Sequence, residues 1–250
     1  MADGAQPLGP GLRLGAGGAA ALVAALTLLP LAAVLARGGG VAALGPADWA
    51  AVRFTLLQAA LSAAISLALA VPVARALARR RFPGRGLLVT LLGAPFILPV
   101  VVAVMGLLAI FGRGGLVNDV LASLGLGRVS IYGIGGVILA NVFFNLPLAV
   151  RLLLQGWFAI PAERFRLAAA LGFGAADIRR HLEWPMLRAL GPGIFATSFL
   201  LCLTSFAVVL TLGGGPGATS VELAIYQAFR FDFDLARAAA LASLQLALSA

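Results

Sequence analysis

The chain has no lysine, one cysteine, one histidine and only nine acidic residues in 250. Each shortage excludes something. A phosphate-binding loop of the form G-x-x-x-x-G-K-[ST] needs its lysine to reach the phosphates. The run GGGPGATS at 213–220 has none, so any ATP that drives this chain is bound and hydrolysed by another subunit, and no cofactor is expected here. Cys202 is alone inside an apolar run, which offers neither a disulfide framework nor a cysteine metal cluster. His181 stands alone beside Arg179 and Arg180 and reads as a polar surface residue. No nucleophile–base pair and no ligand set can be assembled, so no catalytic and no metal-binding residue is expected.

What remains is apolar. Hydrophobic residues make up 62% of the chain and charged ones 11%, with a mean hydropathy of +1.05. Several runs approach the roughly 20 residues with which a helix crosses about 30 Å of hydrocarbon. A soluble helical core would need polar helix faces, and a membrane barrel would show short alternating strands; neither pattern is present. The composition predicts an all-α integral membrane protein, a polytopic bundle of about six transmembrane helices. The net charge of +9 comes from 18 arginines. A lipid membrane accounts for it without a nucleic-acid partner.

The first apolar run is Ala19–Ala36. Val34-Leu35-Ala36 before Arg37 also reads as a signal-peptide cleavage site, so a retained helix and a cleaved signal both stay open. The second run is about Phe54–Leu77, containing Pro72, and the third is Leu87–Phe111, containing Pro95 and Pro99. The fourth is Ile131–Leu154, containing Pro147, and the fifth about Ile194–Leu212. A sixth starts near Leu235, and after Arg237 it has only 13 residues, too few to cross. The last helix is therefore expected to be truncated, with the chain the front half of something longer. The division expected is 1–50, an N-terminal cytoplasmic segment with the first helix and an outer loop, and 51–250, the transmembrane core with a loop at 155–190.

Orientation follows from the arginines. With the N-terminus in the cytoplasm, twelve arginines face inward, among them Arg75, Arg79, Arg80, Arg81 and Arg85, and six face outward. The 155–190 loop is then cytoplasmic. Its centre, RLAAALGFGAADIRRHLEWPMLR (166–188), carries six formal charges. Pro161 suits a helix start, and 162–171 is rich in strong helix formers. Gly172 and Gly174 are expected to break that helix through positive φ. Asp177 favours the first turn of a second short helix over 175–183, and Pro185 is expected to end it near Trp184. On this reading alone, a lipid-surface connector and a protein-docking element stand equally.

Polar side chains inside the spans are few: Gln58 and Ser62, Asn141 and Asn145, Ser198, Thr204 and Ser205. Lipid-facing polar groups are costly, so these are expected to point into the bundle, as interhelical hydrogen bonds or as a candidate translocation path. The run GGGPGAT is an external turn, and Glu222, Asp232 and Asp234 fall on the outer side; charges of a solvated loop account for them, and a site where a binding protein would dock is the other reading.

Aligned on Gly172 and Pro185, the loop resembles that of permease subunits of bacterial ABC importers (binding-protein-dependent, type I), E-A-A-x-x-x-G-x9-I-x-L-P. Ala168, Gly172 and Pro185 keep the spacing, whereas Arg166 replaces the Glu, Leu167 the first Ala, Leu182 the Ile and Trp184 the Leu. The segment 210–245, with SFAVVLTLGGGP before it and VELAIYQA and DFDLARAA within it, resembles the permeases of thiamine or thiamine pyrophosphate ABC transporters; ferric-iron permeases share the layout less closely. The resemblance covers about Ala50 to Ala250. It implies the type I importer permease fold, bacterial inner-membrane residence and a non-catalytic transport role. It also implies three partners: a cytoplasmic ATPase subunit, a periplasmic solute-binding protein and a second permease half, in the same full-length chain or another copy. Arg166, Ala168, Gly172, Phe173, Gly174, Ala175, Asp177 and Pro185 would form the ATPase-docking coupling loop. The alternatives are another small solute or a non-ABC channel.

Overall fold

A computed structural model describes residues 10–37 and 44–249. The tip of the expected N-terminal segment (1–9), most of the outer loop after Arg37 (38–43) and Ala250 lie outside the described residues. Among the described residues there are helices and no strands. Five helical stretches are long and apolar enough to cross a membrane: Gly17–Val34, Pro46–Arg79, Val100–Ser123, Ile134–Ala159 and Ala175–Leu203. Leu235–Ser249 is apolar but shorter. The described residues fall into two compact units.

The larger unit, Pro46–Ala224 with Ser249, is built on α2 (Pro46–Arg79), α7 (Ile134–Ala159) and α10 (Trp184–Leu203). Small residues set their separation. Ala59, Ala63, Ala70 and Ala74 on α2 are fully buried. Ala70 and Ala74 share a cluster with Ala149, Val150 and Leu153 of α7. Between apolar helices in lipid no hydrophobic force remains, so close packing of small side chains drives association. Leu57, Leu61, Ile65 and Leu69, four apart on another stripe of α2, stay exposed, as a lipid-facing stripe requires. At Gly156 of α7 an added Cβ would come within 2.3 Å of the Leu190 side chain and 2.9 Å of Met186 Sδ, so α10 lies directly against it.

The third span differs from expectation. Leu87–Phe111 is not one helix but α3 (Arg85–Leu91), α4 (Ala94–Ile97) and α5 (Val100–Phe111), followed by α6 (Leu116–Ser123). Pro95 lies in the first turn of α4 and Pro99 is the N-cap of α5. Proline lacks the N–H that a continuing helix would use, so the helix restarts at each. The apolar stretch is thus shifted to Val100–Ser123. Asn118, buried, closes the loop behind it: its amide donates to the Gly112 and Val129 carbonyls (2.7 and 2.9 Å) and accepts from the Val129 N–H. Pro72 and Pro147 lie within uninterrupted helices.

The fifth span also differs. The helical path begins at α9 (Ala175–Ile178), passes through a wide turn at Arg179–Glu183 and enters α10 at Trp184. Pro185 therefore does not stop a helix; it sits in the first turn of α10. Trp184 N–H donates five residues back to Arg179 O, and this π-type turn makes room for the ring where an ordinary turn would clash. At the other end the helix breaks at Thr204 and Ser205, and α11 (Phe206–Leu212) follows.

The smaller unit gathers the described residues of Met1–Gly45 and Ile225–Leu248. It holds α1 (Pro10–Arg37), whose Leu22, Leu26 and Leu29 are exposed, the last part of α12 (Val221–Arg230) and most of α13 (Leu235–Ser249). Asp234 Oδ1 accepts the Arg237 N–H at 2.9 Å and caps α13.

Replacing Ala70 by Leu should wedge α2 from α7. Overpacking of this kind costs about 1–3 kcal/mol, so the variant should melt earlier than the wild type in detergent. An unchanged melting temperature would show that the interface has slack the close packing denies.

Candidate translocation cavity and coupling elbow

Four of the polar residues singled out in the sequence meet at the helix break. Gln58 Nε2 donates to the Cys202 carbonyl at 2.8 Å, and Ser205 Oγ donates to the same carbonyl at 2.8 Å. Asn141 Nδ2 donates to Gln58 Oε1 at 2.7 Å and to Ser205 Oγ at 3.3 Å. Asn145 Nδ2 donates to the Asn141 carbonyl at 2.9 Å and to Cys202 Sγ at 3.3 Å. Ser62 lies against the Cys202 thiol. Ser198 is fully buried, and its Oγ has no hydrogen-bond partner. Thr204 is exposed and bonds only carbonyls of its own helix, Leu200 O and Leu201 O, at 3.4 and 3.3 Å.

Beside this network lies an open cavity of about 490 Å³. Asn141, Asn145, Thr204 and Ser205 line it, with Phe144 and Phe206 among the apolar walls. Gln58, Ser62 and Ser198 are not part of its lining; Gln58 and Ser62 support it from behind. The size falls within the range of small-molecule sites, about 300–1,000 Å³.

The other side of the break is held by Glu222. Its carboxyl accepts the backbone N–H of Phe206, while Oε2 is enclosed without a partner. Glu222 stands in the first turn of α12, and α12 is tethered in turn: Thr55 Oγ accepts the Val221 N–H at 2.9 Å. Asp232 forms an ion pair with Arg237 at 2.9 Å. Asp232 and Asp234 thus sit in the smaller unit and Glu222 in the larger.

At the opposite end of α10 the sequence-marked loop forms an elbow. α8 (Ala162–Ala170) ends with Gly172 at φ +71°, a left-handed conformation that only glycine adopts freely. Gly172 N–H donates to Ala169 O at 3.1 Å and Phe173 N–H to Ala168 O at 2.9 Å, the paired bonds of a Schellman stop. Ala168 is buried beneath it. Gly174, contrary to expectation, has φ −77° and ψ 178°, extended backbone open to any residue. Its N–H donates to Asp177 Oδ2 at 3.0 Å, which starts α9. Gly172, Gly174, Ala175, Asp177 and Pro185 are exposed and Phe173 half-buried, the Phe173 ring 5.6 Å from that of His181. Arg166 is exposed and pairs with Glu163 at 2.7 Å.

Sequence reasoning missed the charge pair that fastens this elbow. Glu183, 3% exposed at its side chain, accepts from Arg75 Nε at 2.7 Å and faces Arg79 Nη1 at 3.6 Å. Arg79 also stacks over the Phe165 ring of α8 at 5.1 Å. One signal was available: Arg75 and Arg79 are one turn apart on α2, and Glu183 is an acid within an arginine-rich loop.

No family model matches the sequence. The thiamine transport system permease protein ThiP of Brucella abortus (strain 2308) is 49% identical over 234 residues, 92% of this chain and 43% of that protein. The molybdenum transport system permease protein ModB of Azotobacter vinelandii is 31% identical over 170 residues, 67% of this chain and 74% of that protein. The chain belongs to the permease family of ABC importers. Its fold agrees: a bacterial alginate ABC transporter, solved in complex with its alginate pentasaccharide-bound periplasmic protein, superposes with a TM-score of 0.79 at 16% identity, over 95% of this chain and 90% of the solved one. This permease is accordingly a multi-pass integral membrane protein. It spans less than half the length of the thiamine permease it matches.

Two outcomes test the geometry of the permease. Glu183→Ala leaves Arg75 and Arg79 facing each other and should cost about 1–3 kcal/mol, as loss of a charged hydrogen bond does. Exchanging the charges in Arg75→Glu/Glu183→Arg should recover part of the lost melting temperature; single and double variants that melt alike would deny the pair. At the break, Glu222→Gln keeps an acceptor for the Phe206 N–H and should melt close to wild type. Glu222→Ala orphans that N–H and should melt lower, and equal melting of the two would show that the amide has another acceptor.

Proposed function

We propose that this chain is the membrane-spanning subunit, or half of it, of an ATP-driven importer in the bacterial inner membrane. Its substrate on this reading is thiamine or a thiamine phosphate ester, received from a periplasmic binding protein and released to the cytoplasm. The observation that carries the substrate is the 49% identity to a thiamine transport system permease over 92% of the chain. The chain performs no catalysis. A separate cytoplasmic ATPase binds and hydrolyses ATP, and a second permease half completes the pathway. The N-terminus faces the cytoplasm, as the arginine distribution favours, and that puts the elbow on the ATPase side.

The exposed loop around Gly172 is the docking element, with Phe173, Gly174, Ala175 and Asp177 at the contact and Ala168, Arg166 and Pro185 shaping it. Asn141, Asn145, Thr204 and Ser205 belong to the path, with Gln58, Ser62 and Ser198 behind it. Asp232 and Asp234 belong to the binding-protein side, while Glu222, read from sequence as part of that side, holds the helix break through the Phe206 N–H. Movement of the ATPase then reaches the cavity through α10, which starts beside the elbow and ends at the break.

The test of function is ATP-dependent uptake of labelled thiamine by cells carrying the full-length gene with its neighbours, against cells lacking this permease alone. Uptake should vanish with the deletion; unchanged uptake would remove thiamine as the substrate. The docking role is tested at φ +71°. Gly172→Asn, which tolerates the left-handed region, should keep ATP hydrolysis coupled to uptake. Gly172→Val should lose coupling while still inserting. Full coupling in the valine variant would dismiss the elbow.

A further inference from the structure

The side-chain amides at the break are not free to turn. A carbonyl oxygen at 2.8 Å can face only a donor, so Gln58 presents Nε2, beside Ser205 Oγ, to the Cys202 carbonyl. Gln58 then presents Oε1 to Asn141, which must answer with Nδ2 at 2.7 Å. The Asn141 carbonyl, 2.9 Å from the Asn145 amide, likewise can face only its Nδ2. Both hydrogens of each asparagine amide are used, the second ones on Ser205 Oγ and Cys202 Sγ. A chain of backbone acceptors has therefore fixed the direction of three amides.

The consequence is that both asparagine oxygens are left over. Asn141 and Asn145 are 3% and 4% exposed, yet neither Oδ1 accepts a hydrogen bond from the described residues, and neither is an enclosed orphan atom. What little of these residues is open adjoins the cavity they line. Thr204 adds a hydroxyl oxygen to the same wall, its proton committed to its own helix. An open acceptor at membrane depth is costly unless it faces water or a solute. The wall carries no arginine and no other donor of full charge, while Phe144 and Phe206 offer aromatic surface.

We infer that this cavity is a subsite for a hydrogen-bond-donating, uncharged or cationic organic group, and that it disfavours a phosphate. Three acceptors and two aromatic rings suit an amino-substituted or cationic heterocycle; an anion would meet only oxygen lone pairs. The inference rests on the importer reading above and sharpens it: between thiamine and its phosphate esters, the subsite favours the unphosphorylated vitamin.

The test uses the full-length permease with its ATPase in liposomes, the binding protein saturated in turn with thiamine and with thiamine monophosphate. Wild type should carry thiamine faster. Thr204→Val, which removes one acceptor and little else, should lower transport of both compounds, which carry the same heterocyclic part, roughly fivefold, the worth of about one hydrogen bond. Ala207→Arg puts a positive charge into the wall, since Ala207 lines the cavity, and should turn the preference toward the monophosphate. If Ala207→Arg fails to fold, Thr204→Val decides alone. A wild-type preference for the monophosphate, or transport rates that Thr204→Val leaves unaltered, would overturn the subsite. Wild type that carries neither compound would overturn the thiamine reading itself.

Discussion

A helix that breaks within an apolar span leaves carbonyls and amides that its own turns cannot satisfy. In a continuous α10 the Cys202 carbonyl would accept the Phe206 N–H. The break at Thr204 and Ser205 separates them, and side chains take over both halves of the lost bond. Gln58 and Ser205 donate to the carbonyl; Glu222 accepts the amide. The partners come from α2 and α12, so one broken hydrogen bond ties elements distant in sequence. Asn141 and Asn145 join from α7 because Gln58 must pass its unused oxygen to a donor. The cavity wall is a by-product of that satisfaction, and its chemistry is set by what the backbone left over.

The opposite end of α10 is pinned by charge. From Ala175 to Leu203 the chain follows one helical path of 29 residues, roughly 40 Å at 1.5 Å per residue. Glu183, eight residues in, clamps its first part to Arg75 and Arg79 of α2, and Gln58, nearly five turns before Arg75 on α2, holds its end. A stiff rod fastened to the same neighbour at both ends moves with that neighbour. On the docking role proposed for the Gly172 elbow, a displacement there would reach the α2–α10 pair as a body, against α7, which meets the buried alanines of α2.

Apolar spans were legible because hydropathy is a property of runs, and the polar residues within them were legible because a polar side chain in such a run is conspicuous. Their grouping was not. Nothing in Leu203-Thr204-Ser205-Phe206 announces a break; there is no proline or glycine, and the break exists because Gln58 and Glu222, far along the chain, accept its cost. Pro185 misled for the converse reason. Its local rule forbids a continuing helix, and a wide turn at Arg179–Glu183 absorbed the conflict. Gly172 was read correctly and Gly174 was not, because only a positive φ marks a position that glycine must fill.

The clearest departure from the loop motif is Arg166, where the resemblance would put a glutamate. In this fold that arginine is exposed and bound to an equally exposed Glu163, a pair of the kind that contributes little. The carboxylate that is withdrawn from solvent is Glu183, eleven residues past the elbow, and it meets two cations rather than one. A buried acid without a partner would be expensive, so Glu183 holds the loop only while α2 keeps Arg75 and Arg79 in reach. The loop is therefore fastened to its own membrane helices on the far side of Gly172, which leaves the near side, Arg166 included, free to vary in charge without loosening the elbow.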